Sequence, residues 1–168
     1  MLQDAKGYTL IELIVVIALI GLVMSLTVPR FQSAILTDDL KGTTRKITGL
    51  IRTLRNEAIR EQKTFYLKFD LESNRFWIDY PAMTEEERGL KRESASSFPA
   101  GVQILDIWYR GEGKKMSGEM SILFSKRGYI QPSIIHLGSE DGRKYTLVLS
   151  PFLGRVKILE DYVDFEDI

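Results

Sequence analysis

The 168-residue chain contains no cysteine and a single histidine, His136. Without thiols there is no disulfide framework and no thiolate metal site, and the redox compartment cannot be read from sulfur. One imidazole gives a catalytic triad or a histidine metal site little to build on; His136 sits within an alternating strand pattern and reads as a packed or surface residue. Net charge is missing as well, because 23 Lys and Arg balance 23 Asp and Glu. No bulk field marks the chain for nucleic acid or for an acidic substrate. Phosphate-loop and calcium-loop spacings are also lacking. Gly111-Glu112-Gly113-Lys114-Lys115 does not have the Gly-x-x-x-x-Gly-Lys pattern, and no Asp-x-Asp-x-Asp-Gly loop occurs. These absences point away from an enzyme, and no cofactor or metal is expected.

What the chain does have is one long apolar run. From Tyr8 to Val28, 21 residues carry a single formal charge, that of Glu12. As a helix this run is roughly 30 Å long, enough to cross a bilayer core. A secretory signal has an apolar stretch of about 7–15 residues and then a small-residue cleavage site. This run is longer, and its end, Met24-Ser25-Leu26-Thr27-Val28-Pro29, offers no such site. Length alone predicts an uncleaved anchor. Glu12 argues for something more specific, since a carboxylate at the centre of a spanning helix costs roughly 2.5–3.5 kcal/mol, and less near its edge. Thr9, Ser25 and Thr27 supply no charge to offset it. A cut between Gly7 and Tyr8 would create an α-amine, cationic near neutral pH, within one turn of Glu12. The Tyr8 amine of a neighbouring subunit would then neutralise Glu12 at low dielectric.

The segment Lys6-Gly7-Tyr8-Thr9-Leu10-Ile11-Glu12-Leu13-Ile14-Val15-Val16-Ile17-Ala18-Leu19-Ile20-Gly21 resembles the leader of the type IV pilin and pseudopilin family. In that family an inner-membrane prepilin peptidase cuts after a short leader ending in Gly, the new first residue is N-methylated, and the glutamate at the fifth mature position serves assembly. The resemblance implies that Gly7 and Tyr8 flank the cleavage site, that Tyr8 is N-methylated and that Glu12 is the assembly carboxylate. It implies a helix-loosening role for Pro29. It also places residues 1–7 in the cytoplasm as a leader, residues 8–29 in the inner membrane as a single-pass helix, and the residues after Pro29 in the periplasm. Tyr8 stands where the family more often has Phe, and the leader holds Asp4 beside its one basic side chain, Lys6.

From Phe31 to about Gln62 the spacing stays helical. Phe31, Ile35, Leu40, Ile47, Leu50 or Ile51, Leu54 and Ala58 form one apolar stripe, with Lys41, Arg45, Lys46, Arg52 and Arg55 on other faces. Joined to the first segment this predicts one helix of about 55 residues, roughly 80 Å long. Pro29 is expected to kink its ladder, and Gly42 and Gly49 to weaken it. The basic face reads as a solvated helix side. After Gln62 the period becomes two. Phe65–Phe69 and Arg75–Tyr80 alternate around Asp70–Asn74 as a β-hairpin that Pro81 ends. Ala82–Ser97 reads as an exposed charged loop, Val102–Tyr109 as a strand and Arg110–Ser117 as a turn. Strands then come at Met120–Ser125, Tyr129–Leu137, Lys144–Ser150 and Arg155–Leu159. The expected fold class is α+β: a long N-terminal helix packing its stripe on an antiparallel sheet, with residues 30–62 continuing the helix and 63–168 forming a β-rich domain. Trp77 and Trp108 read as sheet-face core, and the acidic tail from Glu160 as a solvated end or a partner contact.

In this second half, Gly128–Leu137, then Tyr145–Ser150, then Gly154-Arg155-Val156-Lys157-Ile158, together with Leu50, Leu54 and Ala58, resemble the H-type minor pseudopilin of type II secretion. That group shares a domain family with certain minor type IV pilins. The resemblance implies a non-enzymatic subunit of the secretion pseudopilus, whose partners are other major and minor pseudopilins, an inner-membrane assembly platform and, for processing, a prepilin peptidase. The alternative is a minor type IV pilin acting in pilus assembly or DNA uptake. The acidic tail would repel phosphate backbones and argues against nucleic acid as a partner.

Overall fold

The computed structural model describes residues 9–152 and 154–167, with backbone only for 25–38 and 167. The chain falls into two compact units, Met1–Ile35 and Leu36–Ile168. A single helix, α1, runs from Leu10 to Glu61. Its assignment passes without interruption through Pro29, Gly42 and Gly49.

Within Leu36–Ile168 the elements after α1 are β1 (Phe65–Asp70), β2 (Arg75–Asp79), α2 (Glu85–Glu93), β3 (Ser96–Ser97), β4 (Val102–Tyr109), β5 (Gly113–Lys115), β6 (Glu119–Phe124), β7 (Ser133–Ser139), β8 (Lys144–Leu149) and β9 (Val156–Glu160), ending in a 3-10 turn at Phe165–Asp167. The α+β class stands, but the strands form two sheets rather than one. Their orders are β3-β2-β1-β6 and β5-β4-β7-β8-β9, and every pairing is antiparallel. Sequence could not separate them, because β6 returns to pair with β1 across the whole of β4 and β5. The expected hairpin is present as β1–β2, closed at Asp70↔Arg75.

One core joins both sheets to the helix. Leu40, Ile47, Ile51, Leu54 and Ala58 of α1 are each 1 % exposed or less, and they pack with Leu67, Phe69, Ile107, Ile122, Phe124, Ile135 and Leu147. Their spacing of seven, four, three and four residues is the stripe read from the sequence. Thr43, Thr44 and Thr48 are buried on the same helix. The Thr44 hydroxyl donates to the Leu40 carbonyl at 2.8 Å.

Two segments expected to be irregular are ordered. Ala82–Ser97 contains α2, whose N-cap Thr84 accepts from the Glu87 amide while the Glu87 carboxylate accepts from the Thr84 amide. That reciprocal capping box, with acids in the first turn and Lys91 and Arg92 in the last, makes a helix without an apolar stripe. Indeed α2 buries no residue. Arg110–Ser117 contains β5, which pairs with β4 from Tyr109↔Gly113 to Ile107↔Lys115. Gly111, at φ +95°, supplies the left-handed turn between them.

A β-bulge gives β4 two different inner faces. The β4–β7 register shifts between Ile104 and Asp106, so Val102 and Ile104 face the core before it, and Ile107 and Tyr109 after it. Asp106 and Trp108 thereby turn to the opposite side. Gly138 of β7 makes room for the displaced Leu105, whose Cδ2 lies 2.9 Å from where a Cβ would sit. The strand β7 itself is buried at all seven positions. It is covered on both faces, by the core on one and by the C-terminal tail on the other.

Candidate functional site

The first unit presents its apolar surface outward. Every large apolar side chain from Leu10 to Met24 is exposed, from 45 % at Val16 to 77 % at Leu10, on all sides of the helix. A helix that is apolar all round is stable only in lipid or among other apolar helices. Among the described residues no helix is long and apolar enough to cross a membrane. Thr9 stands at the N-cap, its hydroxyl accepting from the Glu12 amide at 3.3 Å and its carbonyl from Leu13 N–H at 3.2 Å. Glu12 is thus the third residue of the helix, at its positive end, where a carboxylate is favoured. Its exposed carboxylate has no ion-pair partner among the described residues. Of the residues singled out in the sequence, Gly7 and Tyr8 lie outside the described residues, as does the side chain of Pro29.

The second unit contains a polar cluster that the sequence did not reveal. The bulge aims Asp106 at His136, and the two meet at 2.6 Å between Oδ1 and Nδ1, both nearly fully buried. The other ring nitrogen of His136 faces the Val163 carbonyl at 3.0 Å. Both ring nitrogens of His136 therefore face oxygen atoms. Tyr162 stacks on the His136 ring at 3.9 Å between centroids and donates its hydroxyl to Asp106 at 3.0 Å. Lys114 donates to the Tyr162 hydroxyl and lies 3.7 Å from Asp106. The tyrosine hydroxyl beside Lys114 is the main cause that raises the lysine above its ordinary value, and burial is the main cause that raises Tyr162. Thr146 fastens the same tail twice, donating to the Asp161 carbonyl at 2.8 Å and accepting from Val163 N–H at 3.0 Å. Phe165 stacks on Trp108 at 3.7 Å.

The acidic tail is therefore a strap bound to the outer face of the second sheet, not a solvated end. Its acidity hid the two aromatic side chains that anchor it. Asp106 and His136 resemble two members of a triad, but the free nitrogen that would activate a nucleophile is spent on a backbone carbonyl, and Tyr162 covers the ring. The cluster holds a strand and a tail together. Of the packed and surface positions left open for His136 the packed one holds, and Trp77 is buried, whereas Trp108 lies under the strap rather than in the core.

Comparison with known proteins bears on both units. Residues 2–28 match the family described as the prokaryotic N-terminal methylation motif, a span that includes Gly7, Tyr8 and Glu12. Two solved structures of the minor pseudopilin EpsH, from the type II secretion system of Vibrio cholerae, share the fold. One is 13 % identical with a TM-score of 0.54, covering 73 % of this chain and 96 % of the other. The second is 14 % identical with a TM-score of 0.54, covering 76 % and 98 %. No curated protein sequence matches the chain. At these identities the likeness establishes the fold, and the methylation motif stands independently of it.

Proposed function

We propose that this chain, which carries the methylation motif ahead of a minor-pseudopilin fold, is a minor pseudopilin of a type II secretion pseudopilus. The observation that carries the reading is the order of the two parts. The motif over residues 2–28 takes in the start of a helix whose later part is built into a β-domain of the EpsH kind. A prepilin peptidase removes residues 1–7 by cutting after Gly7, and Tyr8 is then N-methylated. Residues 8–29 hold the subunit in the inner membrane and later in the filament, with Pro29 loosening the helix at the membrane exit. Residues 30–62 continue the helix, and the domain from residue 63 onward stands in the periplasm.

The physical logic is complementation. An all-round apolar helix loses its exposure by bundling with the helices of other pseudopilins, which the inner-membrane platform brings together. The Glu12 carboxylate, without a partner in the single chain, meets the Tyr8 amine of a neighbour at low dielectric, where an unpaired charge is costly. Each wrong register leaves a carboxylate and an amine unmatched, so the pair aligns subunits as well as joining them. The role is structural and involves no catalysis.

The native absence of cysteine makes the test clean. A Val16→Cys chain, expressed in cells with an active type II system, is expected to cross-link through its one thiol to a cysteine placed in the helix of the major pseudopilin. Cross-linking to type IV pilin subunits in place of pseudopilins would move the protein to a pilus, and no cross-link to either would overturn the reading.

A further inference from the structure

The first sheet has an edge that is only half covered. Strand β2 pairs with β1 along its length, from Asp70↔Arg75 to Tyr66↔Asp79, but with β3 at only Arg75 and Phe76. The bond from Phe98 N–H to the Asn74 carbonyl, 3.2 Å, sets the alternation on that side. Asn74 and Phe76 direct their backbone groups toward β3, so Ile78 directs its own past the end of β3. Among the described residues, nothing bonds to the outward N–H and C=O of Ile78. An edge of this kind is a template for another strand.

Beside this edge lies a groove of about 410 Å³ between α1 and α2, lined by Lys46, Leu50, Phe76, Trp77, Ile78 and Lys91. Its size is within the range of about 300–1,000 Å³ typical of ligand sites. Its lining is apolar at the floor and cationic at the rim. Lys46 Nζ lies 5.6 Å from the Phe76 ring centroid, and neither Lys46 nor Lys91 pairs with a carboxylate among the described residues. The opposite charge, Asp39, lies in an adjoining hollow of about 180 Å³ that shares Lys46 and Phe76. The flank formed by α2 is lightly attached, since that helix buries no residue. It is held by Arg88 to Asp79 at 3.2 Å, by Arg92 over the Trp77 ring at 5.6 Å, and by Arg92 to Glu119.

We propose that this groove receives an extended segment of another protein that adds to β2 as a strand, and that the segment carries alternating apolar and acidic side chains. Strand addition supplies the missing partner for Ile78. Period-two alternation sends apolar side chains onto Leu50 and Phe76 on the α1 side of the edge and the carboxylates to the opposite side, where the unpaired Lys91 selects them. This inference concerns the β-domain and is independent of the processing and membrane role proposed above.

The test uses the full chain in detergent micelles with Trp108→Phe, so that emission reports Trp77. The probe is a synthetic peptide of alternating valine and glutamate, about eight residues long, as befits a strand. Saturable change in Trp77 emission is expected. Lys91→Glu, a change at an exposed side chain, should weaken the binding about tenfold. The same peptide N-methylated at every second residue should lose it. No saturable binding would overturn the proposal. Equal binding of the N-methylated peptide would overturn strand addition, and binding indifferent to Lys91→Glu, or matched by a valine–lysine peptide, would overturn the acidic partner.

Discussion

The two ends of this chain treat an awkward carboxylate in opposite ways. Asp106 is buried with His136, Tyr162 and Lys114 gathered around it, so that the domain satisfies itself. Glu12 stands exposed on an apolar helix with no countercharge among the described residues. The same holds for the apolar side chains around them. Those of the sheet domain are closed into one core, whereas those from Leu10 to Met24 are all open. A region that is complete in one molecule needs no partner to be stable. A region left incomplete over its whole surface is stable only when something else covers it.

Substitutions can break this contrast at either end. The largest effect expected is on assembly. Glu12→Ala should leave cleavage after Gly7 and the melting of the sheet domain unchanged, yet remove nearly all incorporation into filaments, measured by co-purification with the major subunit. In the core, Phe124→Ala should destabilise the domain by about 3–5 kcal/mol in urea unfolding, whereas Val16→Ala should stay within about 0.5 kcal/mol. Breaking the buried pair with His136→Ala should cost about 3 kcal/mol and release the strap, seen as a change in Trp108 emission when Phe165 leaves its ring.

The strap also has a predicted pH limit. Tyr162 and Lys114 are both raised above their ordinary values of 10.0 and 10.5. Groups raised in the folded state contribute stability that is fully present below those values and is lost as pH rises through the folded ones. Docking of the tail should therefore be constant from neutral pH to about 10 and weaken above it. Release already at pH 8 would contradict this assignment. The smallest effect belongs to α2, where Thr84→Ala removes the capping box and should cost about 1 kcal/mol, detected as faster amide exchange confined to 84–94.

How much was legible in the sequence depends on the range of the interactions involved. The stripe from Leu40 to Ala58, the β1–β2 hairpin and the bounds of β4 come from local period and were readable. The helix α2 was not, because its one large apolar residue, Leu90, is exposed and its signal lay in Thr84 and Glu87 alone. The bulge at Leu105 was hidden for a related reason, since it reverses the inward parity of β4 midway. Without that reversal Asp106 would not face His136. The docking of Tyr162 and Phe165 depends on contacts across 26 to 57 residues, from His136 to Tyr162 and from Trp108 to Phe165, and composition pointed the other way. Glu12 was singled out because its cost is set by neighbours in sequence, and Gly7 and Tyr8, which lie outside the described residues, because they belong to a linear motif.

The mass of the mature chain decides whether the exposed helix is a processed assembly element. Protein extracted from membranes of cells with an active prepilin peptidase should begin at Tyr8, lack residues 1–7 and carry one added methyl group on its α-amine. A chain that still begins at Met1 in those cells would rule out the processing.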